Sequence, residues 1–170
     1  MAFQSIWYFT NLPENVVDLI EKDVFDNVDS EDSKDVCVSP QHWVSGFLWH
    51  YIQRANRENF LYNLTGIDEV QYVTQSMGHY DRWHVDDVRH GGEDKPDLTR
   101  KVSCILQLSD VDDYEGGNVE VMSDAEKRYF VPRSRGVVVM FDARSEYRIL
   151  KVRKGTRKSL ITHGVGPSWK

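Results

Sequence analysis

The sequence predicts an α+β fold, with helices packed outside a β-sandwich or jelly roll. Three observations carry this. Two early segments place apolar residues at helical spacing. Six short segments after Phe60 alternate apolar with polar residues and are rich in β-branched side chains. Turn residues separate them: Gly91-Gly92, Asp112-Asp113, Gly116-Gly117, Pro132 and Lys154-Gly155. With 170 residues, 40% of them apolar, the chain has material for about one domain with a real core. The expected division is a helical buttress over residues 1–59 and a jelly-roll core over residues 60–170.

Asn11-Leu-Pro-Glu14 reads as the start of the first helix, with Glu three residues after the cap and Pro in the first turn. Val16, Val17, Ile20 and Val24 then form its apolar stripe. The acidic run Asp26 to Asp35 reads as a solvated loop, because it lacks the Gly and closing Glu of a calcium loop. Ser39-Pro40 is expected to open the second helix, whose stripe is Trp43, Phe47, Leu48, Tyr51, Ile52 and Ala55, ending near Asn56. The expected strands are Glu69 to Gln75, Arg100 to Ser109, Asn118 to Met122, Gly136 to Phe141, Tyr147 to Val152 and Thr156 to Val165.

Composition narrows the function classes. Lys plus Arg is 21 against 27 Asp plus Glu, a formal charge of −6, which argues against a general nucleic-acid binder. No apolar run is long enough to span a membrane. The N-terminus lacks a basic start followed by an apolar stretch, so no secretion signal is expected. Cys37 and Cys104 lie far apart and in no metal spacing, which supports neither a disulfide framework nor a Cys-rich zinc site. The expected setting is a reducing cytoplasm. Nothing in the sequence fixes the oligomeric state.

The sharpest local feature is Trp83-His84-Val85-Asp86-Asp87. On a strand, residues two apart share a face, so His84 and Asp86 would present an imidazole beside a carboxylate. That is two thirds of a facial triad of two His and one carboxylate, a set that leaves metal positions open for substrates. Alone, the motif equally fits a surface His among acidic residues. Downstream come Arg100-Lys-Val-Ser-Cys-Ile-Leu-Gln-Leu-Ser109, Asp112-Asp-Tyr-Glu-Gly-Gly117, Gly136-Val-Val-Val-Met-Phe141 and Lys154-Gly-Thr-Arg-Lys-Ser-Leu160. This order resembles the 2-oxoglutarate/Fe(II) dioxygenases, in particular the prolyl 4-hydroxylase-like branch of bacteria and phages. The resemblance covers the chain from about Phe60 onward.

The resemblance implies a double-stranded β-helix with two main N-terminal helices on one sheet. It implies iron, Fe(II) or Fe(III), with 2-oxoglutarate, O2 and ascorbate as possible companions, and a peptide or amino-acid substrate. It makes Arg157 the base for the distal carboxylate of 2-oxoglutarate, where a guanidinium can fork onto two oxygens. Ser159, two residues on, is similar to the hydroxyl of the family's RxS pair. Tyr72 and Tyr80 resemble a family pattern in which a tyrosine touches the cosubstrate. A phage-encoded relative would work in the host cytoplasm.

One departure matters. The family's distal metal His should fall ten residues before Arg157, and Tyr147 stands there. Three readings follow. Tyr147 can ligate as phenolate; His163, on the face of Arg157 and Ser159 by twos, can donate a nitrogen; or His84 and Asp86 hold the metal alone with water. His42 and His50 read as helix-surface or packing residues. His79 and His90 read as rim residues, and Glu93 to Asp97 as a lid loop. The implied reaction couples decarboxylation of 2-oxoglutarate to C–H hydroxylation of a prolyl residue or free proline. A metal- or 2-oxoglutarate-binding protein on the same scaffold is the second reading. A lectin-like jelly roll explains neither His84-Asp86 nor Arg157.

Overall fold

The structure, a computed structural model, describes residues 7–25, 35–87, 89–90, 97–122 and 127–169. The expected loop from Asp26 to Lys34, the Gly91-Gly92 turn and the lid from Glu93 to Pro96 lie outside these residues. The elements in chain order are β1 (Trp7–Asn11), α1 (Glu14–Phe25), β2 (Asp35–Val38), α2 (Trp43–Ala55), β3 (Gly66–Ile67), β4 (Val70–Ser76) and β5 (Asp81–His84). There follow β6 (Arg89–His90), β7 (Leu98–Gln107), β8 (Tyr114–Gly116), β9 (Val119–Met122), β10 (Arg128–Phe130), β11 (Val137–Asp142), β12 (Tyr147–Ile149) and β13 (Val152–Pro167).

Two antiparallel sheets face each other among the described residues. The major sheet runs β1-β11-β7-β13-β4-β2, with β3, β6 and β8 attached at its margins. The minor sheet runs β10-β9-β12-β5. This is the expected jelly roll with two helices on one sheet. The period-two alternation of β7 shows how it is built. Val102, Cys104, Leu106 and Leu108 enter one core with Val17, Ile20 and Val24 of α1 and Val44, Leu48 and Ile52 of α2. Ile105 turns the other way, into a second core with Val119, Val121, Val139, Phe141, Tyr147 and Ile149. The major sheet therefore separates a helix-side core from the barrel interior, which explains why β7 and β11 are buried on both faces.

Several expectations change in detail. Asn11 ends β1 instead of capping a helix, and Pro13 lies just before α1, where its carbonyl accepts from Val17 N at 3.2 Å. Ser39-Pro40 forms a turn in which Ser39 O accepts from His42 N at 2.9 Å. The cap of α2 is His42, whose Nδ1 accepts from Val44 N at 3.2 Å. That lone pair satisfies one of the four orphan donors of a helix start. The stretch before Phe60 also supplies β1 and β2, which the helical reading had not foreseen. Lys154-Gly155 does not separate two strands. Instead β13 runs through it and changes partner, from β8 at Val152 to Gly155 to β4 and β7 beyond. Gly155 permits this: its φ is +71°, and a Cβ there would lie 2.0 Å from Asp113 O.

Candidate functional site

The interior face of β13 carries Arg157, Ser159, Ile161 and His163, and that of β7 carries Gln107, Ile105, Ser103 and Lys101. Register aligns them: Ser159 opposite Gln107, Ile161 opposite Ile105, His163 opposite Ser103. The result is a row of polar groups at each end of the barrel interior, with Ile105 and Ile161 between.

At one end Arg157 is fully buried. Its Nη1 donates to Gln75 Oε1 at 2.6 Å and to Ser159 Oγ at 3.4 Å, and its Nη2 donates to Gln107 Oε1 at 2.8 Å. Among the described residues no carboxylate forms an ion pair with it, and its Nε–H is buried without an acceptor. Burial works against its charge, while the nearby Tyr114 phenol and, more distantly, Asp81 support it. The unused Nε–H lies on the guanidinium edge it shares with Nη2, the fork geometry that a carboxylate fills. A cation taken out of water with only neutral amide and hydroxyl oxygens bonded to it is a poor structural element and a ready anion site.

At the other end four side chains meet at Asp86. The two oxygens of its carboxylate have different surroundings. Oδ2 accepts from Ser103 Oγ at 2.8 Å and from His163 Nε2 at 3.0 Å. Oδ1 accepts from Tyr147 Oη at 3.2 Å and faces His84 Nε2 at 3.9 Å. Burial raises the Asp86 carboxyl, but the bonds from His163, Ser103 and Tyr147 outweigh it and hold it below the usual value. Tyr147 moves the other way: burial, then the Asp86 charge, push its phenol well above its ordinary range, so it is a neutral donor here. His84 Nδ1 lies 2.7 Å from Arg82 O, which makes it the protonated nitrogen and leaves the Nε2 lone pair aimed at the Asp86 side.

Local folding accounts for this meeting. Tyr147 of β12 is the cross-strand partner of His84 on β5, and the rings sit 4.2 Å apart between centroids. Asp86 lies beyond β5, not on it as the motif suggested. Its backbone N–H and that of Asp87 both donate to Ala143 O at 2.9 Å. The turn after β11 thus fixes Asp86 beside the strand end. Tyr72 is not brought to this interior. It faces the helix-side core with Val70 and Leu160, and the residues of β4 on the Arg157 side are Val73 and Gln75. Tyr80 is exposed on the rim, as is His79, whose Nε2 lies 3.3 Å from Asp81 Oδ1. His50 is exposed on α2. The side chain of His90 lies outside the described residues.

Comparison with known families fits this geometry. The family model described as the 2OG-Fe(II) oxygenase superfamily matches residues 70–163. The chain belongs to the 2OG-Fe(II) oxygenase superfamily. No curated protein matches the sequence. Among solved structures, this oxygenase is similar in fold to a prolyl-4-hydroxylase from Pseudomonas putida, with TM-score 0.69, 16% identity and coverage of 94% of this chain and 91% of that one. It is also similar to the viral collagen prolyl hydroxylase of Paramecium Bursaria Chlorella virus-1 in its 2OG complex, with TM-score 0.72, 13% identity and 97% of each chain covered. A prolyl hydroxylase from Trichoplax adhaerens, in complex with a hypoxia inducible factor peptide, matches with TM-score 0.71 and 14% identity, over 94% of this chain and 83% of that one. The superfamily acts with Fe(II), 2-oxoglutarate and O2, and the donor chemistry tests whether these residues suit the metal. His84 Nε2 and Asp86 Oδ1, an imidazole and a carboxylate 3.9 Å apart, are donor types that suit iron, and the Tyr147 phenol adjoins the same carboxylate oxygen. Among the described residues no three His, Cys, Asp or Glu side chains cluster as a metal site.

The sequence reading of this oxygenase missed Gln75, Gln107 and Ser103. Each shares a strand face with a residue that was singled out or pairs with one across the sheet. Only the register of β4, β7 and β13 identifies them.

Proposed function

We propose that the chain is a non-haem iron, 2-oxoglutarate-dependent dioxygenase that hydroxylates a C–H bond of a peptidyl-prolyl or proline-like substrate. The observation that supports it most is the buried Arg157, without a carboxylate partner among the described residues, at one end of the same interior that gathers His84, Asp86 and Tyr147 at the other. In this reading Arg157 takes the distal carboxylate of 2-oxoglutarate on its Nε/Nη2 edge, with Ser159 Oγ beside it. Gln75 and Gln107 hold the guanidinium plane in place from the opposite edge and end. His84 Nε2 and Asp86 Oδ1 hold the metal, and Tyr147 Oη is the third protein donor. His163 is a positioning residue: its Nε2–H is spent on Asp86 Oδ2, which turns Oδ1 toward the site. When bound, the iron with 2-oxoglutarate and O2 supplies the oxidation itself. The apolar wall of Ile105, Ile161 and Phe141 keeps bulk water from the space between the two ends. A peptide substrate is in keeping with the prolyl hydroxylases of similar fold.

The buried phenol of Tyr147, protonated and bonded to Asp86, favours one alternative: a protein that binds metal or 2-oxoglutarate with weak or no turnover. Succinate release decides between them. Purified protein is supplied with Fe(II), 2-oxoglutarate and ascorbate, with and without proline-containing peptides. Succinate that rises with peptide supports the oxygenase; 2-oxoglutarate binding without succinate supports the binding protein.

A further inference from the structure

The interior face of β7 continues past Ser103 to Lys101, one strand step, roughly 7 Å, beyond the Asp86 contact and on the side away from Arg157. Its backbone ties it to the same corner: Ala143 N donates to Lys101 O at 3.0 Å, and Ala143 O accepts from Asp86 N. Lys101 is only 4% exposed, and its ammonium stands 4.3 Å from the centroid of the Trp169 ring. Among the described residues no carboxylate forms an ion pair with that ammonium. The neighbouring cations are matched. Arg100 is held by Asp68 at 2.7 Å, and Arg144 by Asp142 at 2.6 Å. Arg144 also lies 4.1 Å from the centroid of the Trp169 ring, so two cations share one indole. The carboxylate that supports its charge, Asp87, accepts from Trp169 Nε1 at 3.4 Å. Burial and the Arg144 charge both work against the Lys101 ammonium, and Asp87 only partly relieves it.

The side chain is covered along its length by the strand and the indole, while its charged end faces the Trp169 ring with no carboxylate against it among the described residues, which leaves a point charge for an anion to meet. The metal pair lies between Lys101 and Arg157, so the cosubstrate end and the Lys101 end are distinct. We propose that Lys101 receives a carboxylate of the primary substrate, so that the residue to be hydroxylated carries or adjoins an acidic group. This rests on the oxygenase reading above. A carboxylate is favoured over a phosphate because a single ammonium is left unmatched here. The carboxylate can come from an acidic side chain or from a free chain terminus.

The test is calorimetric binding of four short N-acetylated peptides to the wild type, Lys101→Met and Lys101→Arg. Two carry proline followed by glutamate or by glutamine, both as amides. Two end in proline, one as the free acid and one as the amide. 2-Oxoglutarate is titrated into the wild type in parallel. At least one carboxylate peptide is expected to bind the wild type about tenfold or more tighter than its neutral counterpart, and which pair shows this tells side chain from terminus. Lys101→Met is expected to abolish the preference and Lys101→Arg to keep part of it, with both variants melting cooperatively. Equal affinities within both pairs, no binding of any peptide, or an unchanged preference in Lys101→Met overturns the proposal. If the wild type also fails to bind 2-oxoglutarate, the oxygenase reading falls with it; if it binds, only the Lys101 assignment does.

Discussion

Arg157 and Tyr147 show how much a single side chain can carry. Arg157 leaves its Nε–H without an acceptor while neutral amide and hydroxyl oxygens meet Nη1 and Nη2. Arg157→Ala is therefore expected to weaken 2-oxoglutarate by ~1.5–3 kcal/mol, the range for hydrogen bonds to charged groups. Metal affinity should stay nearly constant, because the proposed ligands His84 and Asp86 are at the other end. Calorimetric titration checks this, and equal 2-oxoglutarate affinities would refute the role. Tyr147 stands where its ring meets His84 and its hydroxyl meets Asp86. Burial and then the field of Asp86 keep the phenol protonated, and a bound cation reverses that field. The aerobic ferric protein is expected to show a tyrosinate-to-iron charge-transfer band that Tyr147→Phe removes. Tyr147→His is expected to raise succinate formation, since a neutral imidazole favours ferrous iron more than an anionic phenolate does. A wild type that turns over faster than Tyr147→His would point to an oxygenase working with the altered donor set.

Elements matter because the site is assembled from their ends. The turn after β11 holds Asp86 through Ala143, and its own anchor is Asp142. That carboxylate accepts from Tyr62 Oη in the segment after α2, and from Arg144 Nη2 at 2.6 Å. Burial raises its pKa, but the bonds from Arg144 and Tyr62 prevail and lower it below the ordinary value near 3.8. A depressed folded-state pKa stabilises the fold above the unfolded value and loses that contribution as pH falls through the folded one. Stability is thus expected to decline with acid below about pH 4. Asp142→Asn should shrink that decline without abolishing it, because Asp86 shifts in the same direction. Thermal melts of both proteins across pH 2–6 provide the measurement, and superimposable acid limbs would contradict the role of the anchor. Here the sequence was a partial guide. It marked β7 well, since alternation is a local property, but β13 only from Thr156 onward, because Lys154-Gly155 reads locally as a turn. It assigned Asp86 to a strand, because a two-residue spacing looks the same whether the second residue is in the ladder or just past its end.

The whole molecule is held around β7, which pairs with β11 on one side and β13 on the other. Cys104 sits in its middle, opposite Met140 and Thr162, and full burial pushes its thiol up to about 12. Thiolate is the reactive form, so a thiol reagent at pH 8 is expected to label the exposed Cys37 quickly. Cys104 should react only through global unfolding, with a free energy of opening equal to that from denaturant melts. Rapid double labelling of the native protein, counted by mass, would show that the centre of the sheet opens locally. The same centre separates what the chain declares from what folding decides. The sequence by itself determined the two helices and the run of strands after them, the pairing of Arg157 with Ser159 on one face, and the placement of Tyr147 where a metal His was expected. Those follow from periods of 3.6 and 2, which neighbouring residues set among themselves. Tertiary structure decided that Gln75 and Gln107 hold Arg157, that Tyr72 faces the helices, and that His163 spends its nitrogen on the outer oxygen of Asp86. Each depends on the register of strands far apart in the chain, where a slip of one residue exchanges the two faces of a strand, and no local pattern records which face the helices will cover.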